Sequence, residues 1–176
     1  MADFYPYLIA SLPMLHFGMK PPFSFERFLE VCRQFMPERD YRLLRDLPQP
    51  AQYSEKGRRP AIIQRWVEFD GALRNELARI RATRRHTGSA THLRPGGYSE
   101  SPLSSAVTAA TMNASPLDAE KNLDEIRWKA LEELATGHYF DLDALITYAY
   151  RLLILLRWEQ IRTADGTALL AQALQQ

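Results

Sequence analysis

The chain has 176 residues, a formal net charge of +1 and a single cysteine. This length fits about one domain with a real hydrophobic core, and the near-neutral charge argues against a dedicated nucleic-acid binder, whose affinity comes from neutralising phosphates. A lone cysteine excludes an internal disulfide and a cysteine-rich metal site, so a reducing compartment fits best.

The first apolar stretch, residues 5–15, lacks the features of an export signal and of a membrane-spanning helix. Asp3 precedes it, and Pro6 and Pro13 interrupt it, whereas a signal has positive residues before an unbroken apolar segment and a span needs about 20 apolar residues. We expect an extended or irregular segment packed onto a core, with 5–10 as the one stretch able to form a strand. Its buried side chains would be Tyr5, Tyr7, Leu8, Ile9, Leu12, Met14, Leu15 and Phe17.

Two short amphipathic helices are predicted next. Ser24 can cap the first through its hydroxyl, and Phe23 and Phe28 stand at the two positions of a hydrophobic staple. The second helix, "ERDYRLLRDL", follows Pro37 and stops before Pro48, because proline cannot continue a helix.

A long third helix is the clearest prediction. It begins after Pro60, since proline is favourable in a first turn, and one apolar stripe follows it for about 24 residues at steps of three and four. The stripe consists of Ile62, Trp66, Phe69, Leu73, Leu77 and Ile80.

Residues 86–115 change character, because half of them are Ser, Thr, Gly or Pro. We predict a long insertion loop here, between two helical halves, with a short turn of helix near 104–111. Loops of this length inside compact domains tend to be functional or mobile.

Three further helices are predicted after the loop. Ser115 caps the first, Pro116 is its first residue and Gly137 ends it in the left-handed conformation. Asp141 can cap the second, 142–162, which is apolar on nearly every side and therefore suited to the middle of a bundle. The segment "ADGTALLAQAL" forms a last short helix.

These elements together predict an all-α protein. We expect an irregular helical bundle of about five or six helices with a long insertion loop. Residues 1–176 would form a single helical domain, with 86–115 as the loop between its two halves.

No pattern of histidines points to a metal site. His16, His86, His92 and His138 lack the i, i+4 spacing of a helical zinc protease. His86 and His92 could approach each other on the loop, but solvent contacts are the more common role of such residues. We predict no metal and no cofactor.

An acidic pair offers the one catalytic hypothesis. Glu120 and Asp124 share a helix face one turn apart, and paired carboxylates do acid–base work where one is buried. Acids in a first helical turn are more often solvated and stabilise the helix dipole. Cys32 lies on the inward side of its helix and is expected to be an inert core thiol. We therefore predict no catalytic residue and no enzymatic activity.

Arginines concentrate on and around the long third helix. A planar guanidinium holds a carboxylate with two hydrogen bonds, so the cluster suits docking of an acidic partner. A solvated helix face explains the arginines equally well. The residues that we assign to partner binding are Arg65, Arg74, Arg79, Arg81, Arg84 and Arg85; Arg58, Arg59 and Arg94 lie nearby.

Three segments carry a family resemblance. The opening "YLIASLPMLHFGMKPP" (7–22), the central "LRNELARIRATR" (73–84) and the later segment 115–162 resemble a bacterial uncharacterised family, domain of unknown function 2764. Members of that family tend to be encoded among the subunits of bacterial vacuolar/archaeal-type rotary ATPases. The later segment also resembles the C subunit of those machines, which is called d in the eukaryotic enzyme. The matching residues are Glu120, Leu123, Asp124, Trp128, Tyr148 and Arg157 or Arg162.

The resemblance implies a non-catalytic structural or accessory subunit. The C subunit is an all-helical socket that couples the central shaft to the membrane rotor, and it has about three helical modules where this chain has length for one or two. The partners would be other ATPase subunits, with no small-molecule substrate, in the cytoplasm or peripheral on the inner membrane face. The alternative is a helical adaptor that binds an acidic protein or nucleic acid through the arginine-rich helix.

Overall fold

The computed structural model describes residues 4–53, 59–84, 101–113 and 115–173, with side chains for all of these except 84, 101 and 165–173. The protein is all-α, as the sequence predicts. The helices are α1 (Pro6–Ser11), α2 (Phe25–Arg33), α3 (Glu38–Arg45), α4 (Ala61–Arg84), α5 (Ser101–Thr111), α6 (Pro116–Ala135) and α7 (Leu142–Ala173). A short 3-10 helix, Pro50–Gln52, lies between α3 and α4.

The chain forms two compact units. Unit 1 comprises Met1–Asp46 and Ala135–Gln176, and unit 2 comprises Leu47–Leu134. Unit 1 therefore contains α1, α2, α3 and α7, and unit 2 contains α4, α5 and nearly all of α6. A single domain over 1–176 stays a prediction.

The prediction of an extended or irregular segment, able to form a strand at 5–10, is wrong for the residues that form α1. Pro6 is the first residue of this helix, where its missing N–H costs nothing and its fixed φ suits the helix. Phe4 forms one antiparallel bridge with Asp141, and Tyr5 N donates to Phe140 O at 2.6 Å. Beyond the helix the backbone is extended again at Leu12 and irregular over 13–16, as predicted.

Only part of the apolar opening is buried. Tyr5, Leu8 and Leu15 lie in the core, whereas Tyr7 and Met14 are exposed, against expectation. Within α1 the helical backbone explains why Leu8 is buried and Tyr7 is exposed, because side chains on a helix repeat every three to four residues and cannot all face one side.

The start of α2 confirms the predicted cap and staple. Ser24 Oγ accepts a hydrogen bond from Arg27 N at 3.2 Å, and the rings of Phe23 and Phe28 stack with centroids 6.5 Å apart. The ring of Phe28 also stacks on Tyr148 of α7, at 5.5 Å. This contact buries the inner face of α2 against α7.

Helix α7 is longer than the sequence predicts. Asp141 Oδ1 caps its start by accepting from Ala144 N at 3.0 Å, as expected. The helix then continues unbroken through Gly166 to Ala173, so the prediction of a separate last helix is wrong. A single glycine costs a helix interior only about 1 kcal/mol relative to alanine. In the described part of the chain, no helix has both the length and the apolar character needed to cross a membrane.

Helix α5 lies where the long loop was expected. The predicted short turn near 104–111 is part of a full helix, and residues 85–100 and 114 lie outside the described residues. Leu103, Val107 and Ala110 recur at steps of four and three and join a buried cluster with Leu73 of α4. Burial of this apolar face stabilises a helix that its many serines and threonines do not favour by themselves.

The buried surface of helix α4 extends beyond its predicted apolar stripe. Ile62, Trp66, Leu73 and Leu77 are buried as expected, while Phe69 and Ile80 are half-buried. Three polar residues of the same helix are also buried: Asp70, Asn75 and Glu76. A buried carboxylate needs partners, and those of Asp70 define the site described next.

Candidate functional site

A carboxylate in the middle of α4 is the centre of the candidate site. The side chain of Asp70 is only 2% exposed. It accepts hydrogen bonds from Arg127 Nε at 2.7 Å, from Arg74 Nε at 2.8 Å and from the Tyr53 hydroxyl at 3.0 Å. These three donors replace the water that the carboxylate loses on burial.

Arg127 of α6 extends the arrangement to a second carboxylate. Its side chain is 7% exposed, and its Nη1 donates to Asp124 Oδ1 at 2.8 Å. Asp124 lies one turn earlier on α6 and is also buried. We call Asp70, Arg74, Asp124 and Arg127 the buried charge network. Its two carboxylates and two guanidinium groups balance in charge.

The network keeps its central carboxylate ionised. Burial by itself raises the pKa of Asp70, but the guanidinium groups of Arg127 and Arg74 outweigh burial and hold this pKa below its ordinary value. Burial also lowers the pKa of Arg127, and the carboxylates of Asp70 and Asp124 more than compensate, so the net shift is upward. A carboxylate held this way is poorly suited to exchange protons near neutral pH.

The network joins two helices that are distant in sequence. Asp70 and Arg127 are 57 residues apart. Desolvation offsets much of the attraction in a buried ion pair, so its net contribution to stability is small, but removing one partner is costly. We interpret the network as a contact that fixes the register of α4 on α6, because other registers leave a charge buried without a partner.

Sequence reasoning does not find this network. Asp124 and Arg127 stand three residues apart on α6, a spacing that describes a solvated surface pair equally well. Nothing local distinguishes Asp70 from the other acids of α4. The one available signal is on α6, where Asp124 and Arg127 lie among core positions such as Leu123 and Leu131.

The two candidate catalytic carboxylates have different surroundings. Asp124 is buried and pairs with Arg127, whereas Glu120 is partly exposed and lies 3.7 Å from Arg81 Nη2 of α4. Both carboxylates lie on α6, but each one pairs with a different arginine.

Three arginines that we assign to partner binding contact carboxylates of this chain. Arg74 belongs to the buried charge network. Arg79 Nη1 donates to Glu76 Oε1 at 2.9 Å, and Arg81 pairs with Glu120. These contacts reduce the charge that α4 offers to a partner at these positions.

The described arginines of α4 also point in two directions. A helix turns about 100° per residue. Arg74 and Arg81 therefore lie on one side of α4, and Arg65 and Arg79 lie on the opposite side. A partner that contacts all four would have to reach both sides of the helix. Outside the described part of the chain lie the side chain of Arg84 and the whole of Arg58, Arg85 and Arg94.

The structure describes two of the four histidines, His16 and His138. His138 Nδ1 lies 2.6 Å from Asp141 Oδ2, beside the cap of α7, and His16 is exposed. Within the described ranges, no group of three or more His, Cys, Asp or Glu side chains could hold a metal ion. His86 and His92 lie outside those ranges.

Most residues that carry the resemblance to the C subunit lie in packing positions. Leu123, Asp124 and Trp128 are buried on α6. In unit 1, the Tyr148 hydroxyl donates to Pro13 O at 2.9 Å. Of the two candidate arginines, Arg157 is half-buried, and Arg162 is exposed and pairs with Glu159.

Comparison with known proteins gives one family match. Residues 100–175 match the family described as protein of unknown function (DUF2764). The match covers α5, α6 and α7, which is less than half of the chain. It does not include the opening segment 7–22 or the central segment 73–84. No curated protein and no solved structure gave a match.

Proposed function

We propose that this protein is a non-catalytic structural or accessory subunit of a vacuolar/archaeal-type rotary ATPase. It would act like the C subunit, coupling the central shaft to the membrane rotor, or accompany the subunit that does so. The observation that carries the proposal is the resemblance of residues 115–162 to the C subunit. The chain would work on the cytoplasmic, membrane-facing side of the complex.

The packing of the matching residues supports this proposal. A subunit that couples the shaft to the rotor must transmit force without changing shape. The residues that match the C subunit are therefore expected to hold helices in place. Asp124 is fixed by Arg127, Trp128 is buried and its Nε1 donates to Glu132 at 2.9 Å, and Tyr148 bonds to the backbone at Pro13. Arg127 in turn donates to Asp70 of α4, so Asp124 and Tyr148 both belong to contacts that hold elements of one unit together, as a coupling subunit would require.

The charge arrangement agrees with the proposal. The acid–base hypothesis requires a carboxylate with a raised pKa in a cleft. Asp124 and Glu120 are instead paired with arginines. Asp70, the other central carboxylate, has a lowered pKa.

Affinity purification from the native host tests the proposal. The full-length chain would carry a small tag at its chromosomal locus, and membranes would be solubilised in mild detergent. We expect the rotor-ring, shaft and catalytic-head subunits to co-purify in fixed proportion. Tagging an unrelated cytoplasmic protein gives the control. Recovery of no ATPase subunit above that control would refute the proposal.

The alternative adaptor function uses the arginines of α4. Their pairing with carboxylates and their division between two sides of the helix give it less support than the subunit proposal. It predicts binding to RNA, DNA or an acidic polypeptide that weakens steeply with salt. Fluorescence anisotropy with labelled RNA and with poly-glutamate at physiological salt would detect such binding.

A further inference from the structure

A groove opens on unit 2 between α4, α5 and α6. Its volume is about 250 Å³. On α4 the lining residues are Arg65, Glu68 and Phe69, on α6 they are Ala130, Glu133 and Leu134, and α5 contributes Leu103. The lining residues follow the i, i+3, i+4 pattern on both α4 and α6, so each helix forms one wall over about one turn.

The groove has an apolar floor and a charged rim. Leu103, Ala130 and Leu134 are buried, and Phe69 is half-buried. The charged residues of the rim are all exposed: Arg65, Glu68 and Glu133. An apolar depression with a polar rim is the usual form of a site for an apolar side chain of a partner.

The rim charges are available to a partner. Among the described residues, Arg65 has no carboxylate at ion-pair distance and Glu133 has no such cation. Glu68 accepts only a neutral hydrogen bond, from Gln64 Nε2 at 2.6 Å. Arg65 therefore differs from the other arginine side chains described on α4, which contact carboxylates of the chain.

We propose that this groove docks an amphipathic helix from a neighbouring subunit of the ATPase. One large apolar side chain of that helix fills the floor, a carboxylate meets Arg65, and a lysine or arginine lies between Glu68 and Glu133. The identity of the neighbour rests on the proposed function. The groove is smaller than the roughly 300–1,000 Å³ of sites for drug-sized ligands, so it suits a single anchoring side chain.

A helix fits the shape and charge of the groove. Two helical walls leave a channel that a third helix can follow, with anchors spaced one turn apart. Exposed ion pairs contribute little each, so the apolar anchor supplies most of the affinity and the rim charges select the partner. The rim carries two carboxylates on one part and one guanidinium on another, which favours a partner helix that presents both a cation and a carboxylate.

Two groove variants and a matched control test the proposal. Ala130→Phe fills the floor, and Arg65→Glu with Glu133→Lys reverses the rim at exposed positions. Lys121→Glu is the control, because Lys121 is exposed on α6 and lies nine residues before Ala130, on the opposite side of the helix at about 100° per residue. Circular dichroism and thermal unfolding would establish that each variant folds. If Ala130→Phe misfolds, the rim variant carries the test.

Co-purification and photo-crosslinking provide the two measurements. We expect each groove variant to recover ATPase subunits at least about tenfold less well than the wild type, because Ala130→Phe blocks the anchor and the rim variant sets like charges against those of the partner. The control should recover them normally. A photoreactive p-benzoylphenylalanine at position 133 should crosslink to an ATPase subunit, and the same residue at position 121 should not.

The outcomes separate this inference from the proposed function. If the wild type recovers the subunits and the groove variants do so equally well, the groove inference is overturned and the proposed function stands. The same holds if position 133 crosslinks only to lipid, to a second copy of this chain or to nothing. If the wild type recovers no ATPase subunit, the proposed function fails and the helix partner fails with it.

Discussion

Replacing Arg127 by methionine tests the buried charge network most directly. The change removes the guanidinium group but keeps a long side chain, so it leaves Asp124 and one oxygen of Asp70 without these bonds of 2.8 and 2.7 Å. Removing one partner of a buried pair costs about 3–5 kcal/mol. Arg74 still contacts Asp70, so we expect a loss of about 3 kcal/mol, at the lower end of that range.

Urea unfolding followed by circular dichroism measures this loss. The free energy of unfolding of a small protein falls by about 2 kcal/mol per molar urea, so a loss of about 3 kcal/mol should lower the urea midpoint by about 1.5 M. The control is Arg42→Met, because Arg42 forms an exposed pair with Glu38 at 2.9 Å and such pairs contribute at most about 1 kcal/mol. A loss below about 1 kcal/mol in Arg127→Met would refute our interpretation of the network.

The pH dependence gives a second readout of the same variant. The folded-state pKa of Asp70 is lowered, so its contribution to stability is complete above its unfolded pKa of about 4 and is lost as the pH falls through the folded value. In Arg127→Met, burial remains and one guanidinium is gone, so the pKa of Asp70 should rise. The difference in the free energy of unfolding between wild type and variant should therefore become smaller as the pH falls from 7 to 4. A deficit independent of pH would contradict this account.

Three smaller effects follow from the same structure. Asp141→Ala removes the cap of α7 and should cost about 1 kcal/mol in thermal unfolding, whereas Asp141→Asn should retain most of the cap; equal losses in both would contradict the capping role. Gly137 has φ 87° with open space around it, so Gly137→Ala should cost about 1–2 kcal/mol through the backbone alone, and no loss on urea unfolding would be the contrary result. Burial raises the pKa of the Cys32 thiol to about 12, so Ellman's reagent at pH 8 should react only with the unfolded chain; rapid reaction of the folded protein would show that the thiol is accessible.

Local rules account for most of the helices. The caps at Ser24, Ser115 and Asp141 lie where the sequence places them, because a side-chain oxygen satisfies the free amides of the next turn without help from the rest of the fold. Gly137 has the predicted left-handed backbone. The prediction at α1 is wrong, and the helix predicted near 104–111 is too short, because distant contacts decide those two segments.

The candidate site could be predicted only in its parts. The arginines and acids of α4 and α6 are visible in the sequence, and the alternative of a solvated face fits them equally well. Which of them lie inside depends on the approach of α6 to α4. That approach buries Asp70 and Arg127 together, while Arg65 and Glu133 stay exposed at the groove.

The sequence by itself determined the all-α class, the positions of most helix ends and the apolar stripe of α4, because these depend on spacing and capping within a few residues. Tertiary structure alone decided that residues 6–11 are helical, that α5 exists as a full helix, and that Asp70 pairs with Arg127 across 57 residues. A helix end is fixed by its own neighbours, whereas the burial of a charge depends on whether a partner arrives from elsewhere in the chain.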